Sequence, residues 1–293
     1  MSKSIGMSRV FQAGVCFIAS LLTSACDRGN EKLQTELTDA DRPQRIVSLD
    51  FCADQYVLKL ADREQILAVS PDAVRDFSYM RDAARGVPIV RPVAEDVIIQ
   101  KPDLVVRAYG GGPNAAAFFE RVGVPVLQLG FASNIDGEDM GSIPNLIQHM
   151  ADGIGQSARG EALIADFRGR LEAISKRDTS ATALYMTPAG VTSGPGSLVH
   201  EMLEAAGLEN FQEQPGWRSL PLERLAYEQP DLVAAAFFET LTNHPDAWSA
   251  SRHPVARAQF AEPDTVPLQG AWTACGGWFI LDAIEALAEG AAP

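Results

Sequence analysis

The chain has 293 residues, 46% of them hydrophobic, and a formal charge of −14. That length exceeds a usual single domain and allows two lobes of about 110 to 130 residues, each able to bury a core. An acidic excess with no run of Lys and Arg excludes a nucleic-acid surface and reads as solubilising charge spread over many faces.

Residues 1–25 carry Lys3 and Arg9, the apolar stretch Val10 to Leu22, and then Thr23, Ser24 and Ala25 before Cys26. This is the pattern of a secretory signal, too short to span a bilayer comfortably. Small residues before a cysteine resemble a bacterial lipoprotein cleavage box, which would make Cys26 the lipid anchor and the new first residue. Thr23 stands where leucine is usual, and cleavage after Ala25 without lipid gives the same mature chain. In a Gram-negative cell the lipoprotein resemblance makes Asp27 a retention signal for the inner membrane, so the expected place is the periplasm, anchored to that membrane. Residues 26–43 are polar and lack an apolar period, as a flexible tether does. Cys16 leaves with the signal, so Cys52 and Cys275 remain in an oxidising compartment. They can form a disulfide between the lobes, lie unpaired beside a ligand, or act as small buried hydrophobes.

The first lobe is expected over residues 44–142. Arg45 to Leu49 begins it as a strand, and Ala53 to Leu60 follows as a helix with Asp50 or Cys52 near its cap. Ile66 to Val69 and Val87 to Val90 read as strands on either side of an irregular stretch containing Phe77 and Tyr79. A short helix from Glu95 then leads to a strand at Leu104 to Val106. Residues 109–113, Tyr-Gly-Gly-Gly-Pro, form a loop. Asn114 caps a helix ending near Arg121, and Val124 to Leu129 is the last strand.

Residues 143–178 change to helix alone, interrupted around Gly153 to Gln156. Ile164, Phe167, Leu171 and Ile174 mark one apolar stripe on a helix of about 20 residues, which would reach about 30 Å. Alternation returns over residues 179–293. Strand Thr182 to Met186 leads to a loop at Ser193 to Gly196, helix Leu198 to Ala205, and strand Leu232 to Ala236. A helix at Pro254 to Phe260, a strand near Thr265 to Pro267 and a helix from Gly277 to Leu287 finish the chain.

Residues 95–106, EDVIIQKPDLVV, return 128 positions later as residues 223–234, ERLAYEQPDLVA. Each copy is a short helix opened by an acidic residue, a proline that stops it, and a short buried strand. A helix feeding a covered strand is half of a parallel βαβ unit, so the echo implies two similar α/β lobes.

From Arg45 onward the chain resembles the periplasmic binding proteins of ABC importers for iron-siderophores, haem and cobalamin. The marks are the opening RIVSLD strand, the twinned Glu-x6-Pro-Asp-Leu-Val segments, the SGPGSLVHEMLEAAGLENF stretch and a helical link between lobes. The cobalamin-binding members share the Gly-rich turn after the first repeat strand and a Trp six residues before the second glutamate, here Trp217. The resemblance implies two Rossmann-like lobes joined by a long rigid α-helix, with the ligand held in a cleft between them and no catalysis. It implies a monomer without a cofactor that serves an ABC permease and its ATPase, with the membrane touched only through the lipid. It also implies that Glu95 and Glu223, which sit favourably at helix N-termini, dock on permease arginines, one per lobe.

Ligands of open α/β sheets bind beyond the carboxyl ends of the strands. Those loops contain Asp50, Phe51, Cys52, Tyr79, Arg91, Tyr109, Trp217, Phe238, Trp272 and Cys275. Aromatics dominate, and their rings can stack on a flat macrocycle or a catecholate. The last loop, residues 270–275, lacks the acidic residue and arginine that flank its Trp in cobalamin binders. Only Arg91 and Arg107 offer cleft cations, so a neutral or weakly charged metal complex, such as a corrinoid, fits better than an anionic ferric siderophore.

Haem would ask for an axial Tyr or His, for which Tyr109 and His200 are placed. A free Zn²⁺ or Mn²⁺ carrier is the other alternative, but His149, His200, His244 and His253 are scattered. An enzyme is not expected: the chain contains no G-x-S-x-G, P-loop or H-E-x-x-H motif, and no G-x-G-x-x-G after the first strand.

Overall fold

The computed structural model describes residues 42–174, 181–237, 250–259 and 264–291. The first lobe runs β1 (Ile46–Ser48), α1 (Phe51–Leu60), β2 (Ile66–Ala68), α2 (Ala94–Ile99), β3 (Leu104–Arg107), α3 (Ala115–Arg121) and β4 (Val126–Gln128). Helices α4 (Ile143–Ile154) and α5 (Ser157–Ala173) follow. The second lobe opens with β5 (Thr182–Met186), β6 (Val191–Ser193), α6 (Leu198–Ala205), β7 (Glu209–Asn210), β8 (Trp217–Ser219) and α7 (Leu222–Leu225). It closes with β9 (Leu232–Phe237), α8 (Pro254–Ala258), β10 (Asp264–Gln269), α9 (Gly270–Thr273) and α10 (Ile280–Gly290).

Each lobe holds a parallel four-stranded sheet, ordered β2-β1-β3-β4 in the first and β7-β5-β9-β10 in the second. Place by place, β1 answers to β5, β2 to β7, β3 to β9 and β4 to β10. The echo in the sequence is therefore a repeated topology.

The strands read as unbroken apolar runs because both faces are covered. Ile46, Leu104 and Val106 face a core that continues through Ala183, Tyr185, Leu232 and Leu268 to Leu287. Val47 and Val105 face a smaller core with Val97 and Phe119, and Leu184 and Val233 another with Phe211 and Leu225. The lobes thus share their largest core in addition to the smaller one that each buries for itself, so neither is energetically independent of the other.

Several expected elements differ in extent. Residues 87–90 make one bridge, Val69 to Ile89, and no strand, since Pro88 and Pro92 leave too few N–H groups for a ladder. Asn114 occupies the cap position of α3 without a side-chain capping bond. Antiparallel strands β6 and β8 pair across Ser193 and Trp217, and with β7 and α9 they were not legible as periodic segments.

The helical link is a pair, with α4 packed on α5 and on α1. Helix α4 ends at Gly155, whose left-handed φ of 76° turns the chain back. At 17 residues α5 spans about 26 Å. Phe167 and Ile174 are buried in the shared core, and Ile164 and Leu171 pack against it. From the same helix Arg170 reaches Asp282 and Glu285 of α10, both at 2.7 Å.

Candidate ligand site

The loop after β3 is gripped from two sides. Asp50, 3% exposed, caps α1 by accepting from the Ala53 N–H at 3.0 Å. Its second oxygen accepts from the N–H groups of Ala108, Tyr109 and Gly110 at 2.7, 3.0 and 2.8 Å. From below, Arg107 donates to the carbonyls of Gly110 and Gly112 and to Gln128. A carboxylate thus takes the loop's donors and a guanidinium its acceptors. Gly110 is required because a Cβ there would lie 2.3 Å from the Leu49 carbonyl oxygen.

These bonds change the roles of two residues that the sequence places at a ligand. Asp50 has both oxygens committed to backbone N–H groups, and Arg107 is buried with its donors spent on the loop. Both act by holding Tyr109 in place. Tyr109 is 48% exposed and sits 6.3 Å from Phe51, edge to face. Phe51 in turn meets Phe77 at 4.9 Å. Phe77 belongs to this aromatic group although sequence reasoning passed it over; an aromatic with no periodic partner in an irregular segment was its only signal. Burial, then the charges of Asp50, Asp72 and Asp54, raise the Tyr109 phenol, which stays protonated at neutral pH.

In the second lobe Trp217 lies on β8, 59% exposed, with its ring 6.2 Å from the buried Tyr185. Trp272 lies on α9, half-buried against the shared core. The lobes are joined beside it. Cys52, in the first turn of α1, is disulfide-bonded to Cys275, just after α9, with Cα atoms 5.6 Å apart. Of the three fates open to these cysteines, they take the bridge. It ties the segments beyond the carboxyl ends of β1 and β10, where an α/β ligand site belongs.

Tyr79 belongs to the same junction. Its hydroxyl donates to Asp282 at 2.8 Å and its ring stacks on Phe279 at 4.9 Å. Burial first, then the bond to Asp282, push its pKa up to about 12. Tyr56 adds a bond to the Gly276 carbonyl at 3.1 Å. Arg91 is exposed and paired with Asp96 at 2.6 Å. Phe238 and Cys26 lie outside the described residues, as do residues 1–41 with the expected signal and most of the tether.

The histidines work locally. His149 meets the Gln128 carbonyl, His200 lies between Asn210 and Glu204, and His253 accepts from the Val255 N–H. His244 is outside the described residues. Among the described residues no group of three or more His, Cys, Asp or Glu side chains is gathered as metal ligands would be. None of the described helices is long and apolar enough to cross a membrane.

A family model described as periplasmic binding protein matches residues 46–237. The chain belongs to the periplasmic binding protein family. Periplasmic binding proteins are solute carriers and not enzymes. A cobalamin-binding protein of Halobacterium salinarum is 27% identical over 211 residues, 68% of this chain. The chain spans about half the length of that relative, 55%. Among solved structures, a periplasmic heme-binding protein from Pseudomonas aeruginosa superposes with a TM-score of 0.61 at 21% identity. The match covers 84% of this chain and 91% of that one. A periplasmic vitamin B12 binding protein of Vibrio cholerae gives 0.59 at 18% identity, covering 85% and 96%. At these identities the structures establish the shared fold, with its paired α/β lobes.

Proposed function

We propose that this periplasmic binding protein captures a flat metal-bearing organic ligand of the corrinoid class and delivers it to an ABC permease and its ATPase. The observation that carries the reading is the pairing of exposed aromatics with engaged cations. Tyr109 and Trp217 offer exposed rings and Phe51 a half-buried one at the strand ends, while Arg107 is buried with its donors spent on the loop and Arg91, at the surface, is paired with Asp96. A strongly anionic siderophore would bury charge without a partner here. A neutral macrocycle buries mostly apolar area against rings. The cobalamin-binding relative supports the same class.

Export to the periplasm, with Cys26 as the lipid anchor, agrees with a disulfide that persists only in an oxidising compartment. Glu95 and Glu223 serve as the docking carboxylates, one per lobe. Both are exposed, and among the described residues neither side chain has a hydrogen-bond or ion-pair partner.

Haem is the second reading, favoured by one observation: no described group bonds the Tyr109 hydroxyl, which leaves it available as an axial oxygen. Titration with cobalamin, cobinamide, haem and ferric siderophores, followed by Trp fluorescence, separates these. Quenching by a corrinoid that Trp217→Ala weakens at least tenfold is the expected result, as loss of a stacking platform costs roughly that much. Saturable binding of haem alone, lost in Tyr109→Phe, would replace the corrinoid assignment.

A further inference from the structure

The two repeat copies agree in more than their glutamates. Two residues after each glutamate the chain is buried, Val97 at 0% and Leu225 at 3% exposure. Four residues after stand Ile99, the last residue of α2, and Tyr227, in the turn just past α7, 75% and 91% exposed. A single exposed Ile or Tyr needs no explanation. Two large apolar side chains at the same place of a repeat, each four residues from an unpaired exposed carboxylate, are a different matter. In α2 this puts Ile99 beside Glu95, since positions four apart share a helix face, and Tyr227 stands in the turn that closes α7, its N–H bonded to the Arg224 carbonyl at 3.0 Å.

We infer that Ile99 and Tyr227 are the apolar anchors of the permease-docking surface, one on each lobe. The inference rests on the docking reading of Glu95 and Glu223 and adds what those carboxylates cannot supply. Exposed ion pairs contribute little, because water and salt screen them. A stable contact needs a desolvated apolar centre with charge at its rim.

Charge and symmetry fix the occupant. Each lobe offers an apolar side chain beside a free carboxylate, and the lobes carry these on matching elements of one topology. The complementary partner presents the same site twice, an arginine or lysine next to an apolar socket, as a permease of two equivalent halves does. In the second lobe Glu223, though not Tyr227, also borders a hollow. This hollow of about 490 Å³ is bounded by Phe211, Gln212, Leu220 and Arg224. The Arg224 guanidinium lies 4.0 Å from the centre of the Phe211 ring and pairs with Glu213 and Glu228.

The test is binding of the full chain to its cognate permease–ATPase complex in lipid nanodiscs, followed by surface plasmon resonance at several salt concentrations. Ile99→Ser and Tyr227→Ser should each weaken binding about tenfold and together about a hundredfold, with the salt dependence retained. Tyr227→Phe should bind like the wild type, and melting curves should not move because both sites are exposed. Glu95→Ala with Glu223→Ala should weaken binding and flatten its salt dependence. Wild-type binding by the serine variants, with loss in the alanine pair, overturns the anchors and leaves the docking reading standing. Wild-type binding by all of them overturns both. A wild-type dimer that the serine variants dissolve would make a second copy of this chain the occupant and also overturn the inference.

Discussion

Asp103 and Asp231 perform one task in two lobes. The Asp103 carboxylate accepts from the N–H groups of Gln44 and Arg45, both at 2.8 Å, at the entrance to β1. The Asp231 carboxylate accepts from the N–H and hydroxyl of Thr182 at 2.7 and 2.9 Å, where β5 begins. Each therefore pins the start of the first strand in its sheet to the strand that follows the aspartate. These bonds hold the Asp231 carboxyl below its usual range, the Thr182 backbone bond contributing most.

The aspartates of the Pro-Asp-Leu-Val segments are thus structural, and their replacement should affect folding alone. Asp103→Ala and Asp231→Ala should each lower stability by about 1 to 2 kcal/mol. The costs should add, since the two sites share no partners. Urea unfolding measures this, and unchanged ligand affinity in both variants separates the role from one in binding.

Where the chain repeats a pattern, the sequence was informative. The twin segments, the strand Thr182–Met186 and the helix Leu198–Ala205 were legible because buried parallel strands and amphipathic helices impose strong periods. The antiparallel pair β6 and β8 was not, because three-residue strands on a half-exposed surface leave no period. At the site, the aromatics stood out but their supports did not. Asp50 and Arg107 look like ligand contacts in sequence, since any charged residue in a strand-end loop does. Only coordinates reveal that their partners are the backbone of residues 108–112.

The Cys52–Cys275 bridge closes a loop of 223 residues across both lobes. In the chain-entropy model that constrains the unfolded state by about 5 kcal/mol, the upper end of what disulfides deliver. The shared core and the Tyr56 and Tyr79 bonds also join the lobes, and Arg170 ties the helical link to α10. The Cys52→Ser, Cys275→Ser double variant should therefore still fold, with stability lower by about 3 to 5 kcal/mol. Chemical unfolding with and without reductant measures it: reductant should destabilise the wild type by the same amount and leave the variant unmoved.

Gly110 sits against the Leu49 carbonyl, so Gly110→Ala must displace the loop that carries Tyr109. Asp50→Ala leaves four backbone N–H groups without an acceptor. Each unmade buried bond costs about 1 to 3 kcal/mol, so the Asp50 variant should lose several, partly offset by water entering the loop. Gly110→Ala should unfold at a lower urea concentration than the wild type, because the displaced loop loses its bonds to Asp50 and Arg107, and while folded it should bind ligand at least tenfold more weakly, as displacement of a positioned contact does. Fluorescence titration checks it, and wild-type affinity in Gly110→Ala would remove this loop from the site.

Asp54 gives the fold a dependence on pH. It is fully buried in α1, accepting from the Ser70 N–H at 3.1 Å and the Ser70 hydroxyl at 2.6 Å. Burial lifts its pKa to about 7, with hydrogen bonds from Ser48 and Ser70 acting the other way and the Asp50 charge adding to the rise. In the unfolded chain the group titrates near 3.9. Between these values the folded state holds a proton that the unfolded state has released, so stability falls as pH rises from about 4 to about 7 and is level above. The full swing is on the order of 4 kcal/mol. Asp62 works in another window: hydrogen bonds from Arg159 and Arg42 lower it to about 2, so its contribution disappears only as pH falls below about 4. Urea midpoints of the wild type and Asp54→Asn, measured from pH 4 to 8, isolate the buried group. The wild type should weaken across that range while Asp54→Asn stays nearly flat, and parallel profiles would show that Asp54 is ionised throughout.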